Sequence, residues 1–274
     1  MEASEIYARI PLEVSTKQIR LVELLPGNID EVIQCRFHSI SLLDRPEYAA
    51  LSYSWGPPKP YKNILLNDTE FPIRRNLWWF LHHARTRNET QLFWIDALCI
   101  DQSNDSERSH QVGLMGKIYI TAASVTVWLG EADKKAESDL AMDFVDRKGL
   151  APLRTKAGRF QSLWSPSEGQ ALLSLCERNY WKRVWVVQEI MHGEDLTVLC
   201  GSKSFPWQNI LQIFLNLKTI AEIGHAVHLH SSAAIFNSPA SVLVKAKSAW
   251  HGQRIPLWDL LETYRDLQST PTKA

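Results

Sequence analysis

The sequence predicts an α/β fold in which a parallel sheet is flanked by helices. Four segments with the apolar, β-branched and aromatic character of buried strands begin near residues 49, 92, 124 and 196. Segments with helical spacing separate them, and strands that alternate with helices are typical of a parallel α/β sheet. Two hairpin patterns early in the chain are expected to extend one edge of this sheet.

The first hairpin precedes the first buried strand. Apolar and polar residues alternate over 19–25 and again over 31–38, and Pro26-Gly27-Asn28 separates the two runs. Residues 48–55 then form an apolar and aromatic run that stops at Gly56-Pro57-Pro58. This pattern predicts a buried strand with its carboxyl end at the glycine.

The second hairpin lies between the first two buried strands. It is expected over residues 63–73, with its turn at Asn67-Asp68. Residues 77–84 have helical spacing, and residues 92–95 form a short apolar strand. Asp96 stands directly at the carboxyl end of that strand.

The clearest helix start in the chain follows Asn104. Asn104 with Glu107 three residues later fits an N-cap and its capping-box partner. Apolar residues recur at helical spacing over 112–119, and residues 124–129 form a β-branched strand that Gly130 closes.

The second half of the chain is predicted to be mainly helical. Helices are expected over 134–147 and 168–178, with an irregular segment over 149–167 between them. A strand is expected over 196–200, and mostly helix from 207 to about 266. For residues 184–187 both a helix and a buried strand fit the pattern.

Composition excludes several classes of protein. The 274 residues are 45% hydrophobic and 22% charged, as in globular proteins. Lys+Arg and Asp+Glu both number 30, and this balance argues against a nucleic-acid partner. No apolar run approaches the roughly 20 residues of a membrane span, and the start lacks a secretory signal. With four scattered cysteines, expected to be buried and reduced, we expect a cytoplasmic protein.

The first candidate site is the end of the strand at Tyr53, Ser54, Trp55 and Gly56. Ligands of open α/β sheets bind beyond the carboxyl ends of the strands. Trp55 can stack a planar ring there, and Ser54 can hydrogen-bond a hydroxyl or phosphate. The alternative is that Trp55 simply caps the core.

The second candidate site follows the next strand and contains Asp96, Cys99 and Asp101. Asp96 is either a ligand contact or the anchor of a loop. Cys99 as a nucleophile would need a partner histidine, and none is apparent in the sequence.

The third candidate site contains Trp181, Arg183, Trp185 and Glu189. On a helix, the two tryptophans and the glutamate form one stripe with a spacing of four residues. A carboxylate inside an apolar run is expected to have either a charged or hydrogen-bonding partner or a functional role, because burial of an unpaired charge is unfavourable. Glu189 is therefore a functional carboxylate, the partner of an arginine such as Arg183, or a side chain that points to water at the helix end.

Familiar cofactor and metal motifs are not found. Neither a glycine-rich dinucleotide fingerprint nor a phosphate loop occurs, and His225, His228 and His230 lack a nearby acidic or cysteine ligand. No metal and no bound cofactor are expected.

These segments together resemble the HET (heterokaryon incompatibility) domain of filamentous fungi. The resemblance spans about residues 19–201 in the order and spacing typical of the family, although Asp101 stands where the family often has Asn. The matching motifs are Tyr48–Gly56, Phe93–Gln102, Glu107-Arg108, Gln111-Val112, Met115, Ile118-Tyr119, Ala122, Val127–Gly130 and Tyr180–Glu189. We therefore expect a HET domain over 1–221, with its core motifs in 48–201, and a helical extension of that domain over 222–274.

The resemblance implies a cell-death effector of non-self recognition. HET domains look like remote relatives of TIR domains, which have a flavodoxin-like parallel sheet, and several TIR domains cleave NAD+ with a helical glutamate after a tryptophan motif. Carried over by motif, that catalytic glutamate is Glu189. The partners implied in the same way are NAD+ as substrate, further copies of the chain in a homo-oligomer, and an upstream recognition receptor.

The same comparison assigns roles around NAD+. Trp55 or Trp185 would stack a ring, and Arg183 would hold the pyrophosphate. Further substrate contacts are expected from Tyr53, Ser54, Gly56, Asp96, Cys99, Asp101 and Trp181. The competing hypotheses are a non-catalytic oligomerisation module and a nucleotide sensor that binds without cleavage. An enzyme requires Glu189 in an open cleft, whereas a module would bury or pair it.

Overall fold

The computed structural model describes residues 3–13, 15–133, 135, 137–148, 164–222 and 231–250. The described chain has the expected α/β fold, with a mixed central sheet and flanking helices. It divides into two compact units: a first unit of residues 1–131 with 192–196, and a second unit of residues 132–191 with 197–274. The predicted boundary between 221 and 222 stays a prediction.

Seven strands build the sheet of the first unit, in the order β5-β4-β2-β1-β6-β3-β7. They are β1 (Gln18–Leu24), β2 (Gln34–Ser41), β3 (Ala49–Tyr53), β4 (Tyr61–Leu66), β5 (Thr69–Arg74), β6 (Phe93–Trp94) and β7 (Ser124–Trp128). Strand β3 pairs in parallel with both β6 and β7, and all five of its residues are buried. The predicted parallel centre is thus confirmed.

The two predicted hairpins lie on one side of this centre. Strands β1 and β2 are antiparallel, as are β4 and β5, and a short parallel pairing of β2 with β4 joins the hairpins. The second hairpin turns at Asn67 and Asp68, whose φ angles are +48° and +62°. Asparagine and aspartate tolerate the positive φ angles that such two-residue turns require, so the local sequence was sufficient to locate it.

Four helices belong to the first unit: α1 (Ala3–Ala8), α2 (Arg75–Thr86), α3 (Asp96–Cys99) and α4 (Asp105–Thr121). The predicted N-cap of α4 is confirmed, since the Asn104 side chain accepts hydrogen bonds from the backbone N–H groups of Ser106 and Glu107. The predicted capping box is wrong. The Glu107 carboxylate instead accepts from the Arg20 guanidinium and from the backbone N–H of Asp101.

The second unit is mainly helical. Its elements are α5 (Glu137–Lys148), α6 (Pro166–Cys176), α7 (Trp185–His192), β8 (Leu196–Cys200), β9 (Lys203–Pro206), α8 (Trp207–Glu222), α9 (Ser232–Phe236) and α10 (Pro239–Ala249). Strands β8 and β9 form an antiparallel hairpin. The structure resolves the ambiguity at residues 184–187 in favour of a helix. Residues 149–163 of the irregular segment predicted over 149–167, and the predicted helix beyond 250, lie outside the described residues.

All four cysteines are free and buried, as predicted. Burial raises the pKa of the Cys35, Cys99 and Cys176 thiols to about 12. No helix among the described residues combines the length and the apolar character that crossing a bilayer requires.

Gly193 approaches β7 too closely for any side chain. A Cβ atom at this position would lie 2.6 Å from Cγ2 of Val125, and the neighbouring Asp195 carbonyl accepts a hydrogen bond from the Val125 N–H. We expect Gly193→Ala to lower the free energy of unfolding by about 1–3 kcal/mol through overpacking. Urea denaturation measures the loss.

The matched test of this overpacking is the double variant Gly193→Ala with Val125→Ala. Removal of the valine methyl groups relieves the close contact. The double variant should therefore lose less free energy of unfolding than the two single variants lose in total. Strict additivity would contradict the steric explanation.

Candidate functional site

The carboxyl ends of β3 and β6 bring Trp55 and Asp96 together. The two strands are parallel neighbours, with Ala50 opposite Trp94, so the residues that follow them lie at the same edge of the sheet. The indole Nε1 of Trp55 donates a hydrogen bond of 2.8 Å to Oδ2 of Asp96. Both side chains are half-buried, so they lie at the surface and do not belong to the closed core.

Asp96 also anchors the local backbone. Its Oδ1 accepts a hydrogen bond of 2.7 Å from the N–H of Ala97, and its carbonyl oxygen accepts from the Gln102 side chain. The anchoring role weighed for Asp96 is thus confirmed. The Asp96 side chain is also partly exposed, so its contact with a ligand stays a prediction.

Arg74, at the end of β5, packs on the same indole. Its guanidinium carbon lies 4.9 Å from the centre of the Trp55 ring, and its Nη1 donates a 3.0 Å hydrogen bond to the carbonyl oxygen of Gly56. Gly56 has a φ of +71°, a conformation that favours glycine. Sequence reasoning missed Arg74, because its contact with Trp55 depends on where the β4–β5 hairpin lies.

Asn76 connects three elements at this edge. Its side-chain amide nitrogen donates to the carbonyl oxygen of Ser54, and its Oδ1 accepts a 3.0 Å hydrogen bond from Nε1 of Trp128 at the end of β7. Asn76 lies in the first turn of α2 and was also missed from the sequence. It fixes the backbone from which Trp55 projects. We call Ser54, Trp55, Gly56, Arg74, Asn76 and Asp96 the Trp55 cluster.

Three other predicted contact residues lie inside the first unit. Tyr53 is buried in β3, and Cys99 is fully enclosed, with its sulfur accepting a hydrogen bond from the N–H of Ile95. Asp101 is also buried, and its carboxylate accepts from both the N–H and the hydroxyl of Ser103. The thiol of Cys99 has no exposed surface in this structure, and its contact with a ligand stays a prediction.

The remaining predicted residues belong to the second unit. Trp185 begins α7 half-buried, and Glu189 follows one helical turn later with only 3% of its surface exposed. Trp181 lies before the helix in a short 3-10 turn, fully buried, with its Nε1 donating to the carbonyl oxygen of Leu175. The predicted stripe of three residues therefore holds only for Trp185 and Glu189. Arg183 is buried at 8% exposure.

Burial of Glu189 bears directly on the two main hypotheses. The open cleft that an enzyme requires at this residue is not present in the described state, in which the carboxylate is enclosed. Among the described residues, no group of three histidine, cysteine or acidic side chains is arranged to hold a metal ion. The predicted histidine cluster at 225–230 lies outside the part of the chain that the structure describes.

Fold and site together define an α/β protein with an aromatic and polar cluster at the carboxyl ends of its parallel strands. The family model for the heterokaryon incompatibility protein (HET) matches residues 48–189. The match covers more than half of the chain, and the chain belongs to the HET family.

Two curated relatives are similar to this chain. Heterokaryon incompatibility protein 6, OR allele, of Neurospora crassa is 26% identical over an alignment of 238 residues, and the match covers 72% of this chain and 35% of that protein. Vegetative incompatibility protein HET-E-1 of Podospora anserina is 32% identical over 87 residues, 31% of this chain and 6% of that protein. The match thus spans about a third of the first relative. No solved structure matches the chain.

Proposed function

We propose that this chain is an effector domain of heterokaryon incompatibility, which triggers cell death by cleaving the nicotinamide–ribose bond of NAD+. Membership of the HET family supports the biological role, as do the names of the two relatives. In this proposal Glu189 is the catalytic carboxylate.

The observation that carries the chemical part is the position of Glu189. Its carboxylate is enclosed in the short apolar helix α7, one turn after the half-buried indole of Trp185. In such surroundings its negative charge interacts strongly with a nearby positive charge, because little water screens it.

The proposed cleavage needs one negative charge close to the ribose. When the bond between the nicotinamide nitrogen and C1′ of the ribose breaks, its electron pair leaves with nicotinamide, which departs neutral. Positive charge develops on the sugar, and the Glu189 carboxylate stabilises it. A water molecule then attacks C1′ and loses a proton, which gives ADP-ribose. No general acid is needed for the leaving group.

Activation requires Glu189 to become accessible. We propose that assembly of several copies, started by an upstream recognition partner, favours a conformation in which the carboxylate reaches the ribose. Assembly can shift the population in this way only if it binds the open conformation more tightly than the closed one. The closed state described here is then the resting state.

Enclosure of Glu189 is also the observation that favours the competing function, a non-catalytic assembly module. In that case the carboxylate is a structural group, and neither binding nor cleavage of NAD+ is expected. A nucleotide sensor would bind NAD+ saturably and give no product. The three functions thus differ in two measurable quantities, NAD+ binding and nicotinamide release.

The experiment is to incubate the purified chain with NAD+ and follow nicotinamide by chromatography over a series of protein concentrations. We expect release to rise more than in proportion to protein concentration, because assembly precedes cleavage. A fusion to a dimerising or tetramerising domain should raise the rate at low concentration. Absence of nicotinamide under both conditions would contradict the enzymatic proposal.

A further inference from the structure

The Trp55 cluster borders a surface that is rich in cations. Arg74 lies opposite Tyr61 in the β4–β5 ladder, and Tyr61 is 50% exposed. Lys62 follows Tyr61 in β4, and its Nζ lies 4.0 Å from the centre of the Trp78 ring. Trp78 is four residues after Arg74 in the sequence. Arg75 is exposed between them.

The contacts of Arg74 and Lys62 are to aromatic rings and to a backbone carbonyl. Within the described residues, Arg74 contacts the Trp55 ring and the Gly56 carbonyl, and Lys62 contacts the Trp78 ring, but neither forms an ion pair with a carboxylate. Other arginines of the same unit do form such pairs, including Arg36 with Glu23 and Arg108 with Asp105. Arg74 thus has N–H donors left for an anion.

The Trp55 cluster offers three chemically different groups side by side. The guanidinium of Arg74 has the planar fork that suits phosphate oxygens. The part-exposed indole of Trp55 can stack a base. The carboxylate of Asp96, which accepts a hydrogen bond from Nε1 of the same indole, can accept further hydrogen bonds from ribose hydroxyls, as acidic residues do in dinucleotide-binding folds.

A phosphate, a ribose and a base occur together in a nucleotide. We infer that the Trp55 cluster binds a nucleoside diphosphate, with Arg74 as the residue that distinguishes phosphate-bearing nucleotides from nucleosides. An acidic peptide would use the arginine but would have no need of the indole and would be repelled by Asp96. The inference deepens the proposed function and rests on it only for the identity of NAD+ as the natural ligand.

Calorimetric titration of the purified chain with ADP, adenosine and inorganic pyrophosphate tests this inference. We expect ADP to bind more tightly than either fragment, and its affinity to fall as salt is added. Arg74→Gln should weaken ADP binding by about tenfold or more, since a hydrogen bond to a charged group is lost. The same variant should bind adenosine as the parent does, which also shows that the site is still folded.

Two further variants complete the design. Arg36→Gln makes the same change of charge at an exposed position of β2 and should leave ADP binding unchanged. Arg74→Lys keeps the charge without the planar fork and should give an intermediate loss. Equal affinity for ADP and adenosine, or an Arg74→Gln variant that binds ADP as tightly as the parent, would overturn the inference. ADP contains no nicotinamide, so the result is independent of whether the chain cleaves NAD+.

Discussion

Glu189→Gln is expected to abolish nicotinamide release from NAD+ while leaving the fold intact. The substitution keeps the size of the side chain, removes its negative charge and replaces one acceptor oxygen by an NH2 donor. If that charge stabilises the developing positive charge on the ribose, the rate should fall by about a hundredfold to a thousandfold or more. Nicotinamide release is measured for parent and variant at the same protein concentration and in the same oligomeric state.

The matched control is Glu194→Gln, which makes the same change in an exposed side chain shortly after α7. It should release nicotinamide at the parent rate. Glu189→Asp retains the charge on a shorter side chain and should keep part of the activity, which separates the effect of charge from that of packing. A folded Glu189→Gln variant with parental activity would exclude Glu189 as the catalytic carboxylate.

Local features of the sequence were sufficient to predict much of the fold. The turn at Asn67 and Asp68 was predictable, because only a few residue types adopt the required backbone angles. The N-cap at Asn104 was predictable, because its side chain bonds to N–H groups two and three residues ahead. The position of Asp96 beside Trp55 followed from strand order, because parallel neighbours end at the same edge of the sheet.

Features that depend on distant contacts could not be predicted. The sequence shows Arg74 and Asn76 only as polar residues between a strand and a helix, and their partners Trp55, Ser54 and Trp128 are fixed by the arrangement of the sheet. At Trp181 the prediction failed for a local reason. The α-helix begins only at Trp185, whereas Trp181 lies in a separate 3-10 turn, so the stripe through Trp181 assumed a continuous α-helix that does not exist.

The ion pair of Arg20 and Glu107 was also missed, and its removal should give the largest loss of stability in the first unit. The two residues are 87 positions apart and form a bidentate contact with distances of 2.5 and 3.1 Å. Arg20 is fully buried and also donates to the carbonyl oxygens of Ile10 and Cys99. Because removal of one partner leaves the other charge buried, Arg20→Met and Glu107→Gln should each lower the free energy of unfolding by about 3–5 kcal/mol.

Urea denaturation of the single and double variants tests this expectation, with Arg36→Met as the exposed control. Arg36 lies 3.8 Å from Glu23 at the surface of the same sheet, and its loss should cost at most about 1 kcal/mol. The double variant of Arg20→Met with Glu107→Gln should be more stable than Arg20→Met alone, since no unpaired charge remains. Equal losses for Arg20→Met and Arg36→Met would contradict the role of burial. Arg20 also donates a hydrogen bond to the carbonyl oxygen of Cys99, the last residue of α3, and α3 begins at Asp96. Loss of the Arg20–Glu107 ion pair should therefore also weaken ADP binding at the Trp55 cluster.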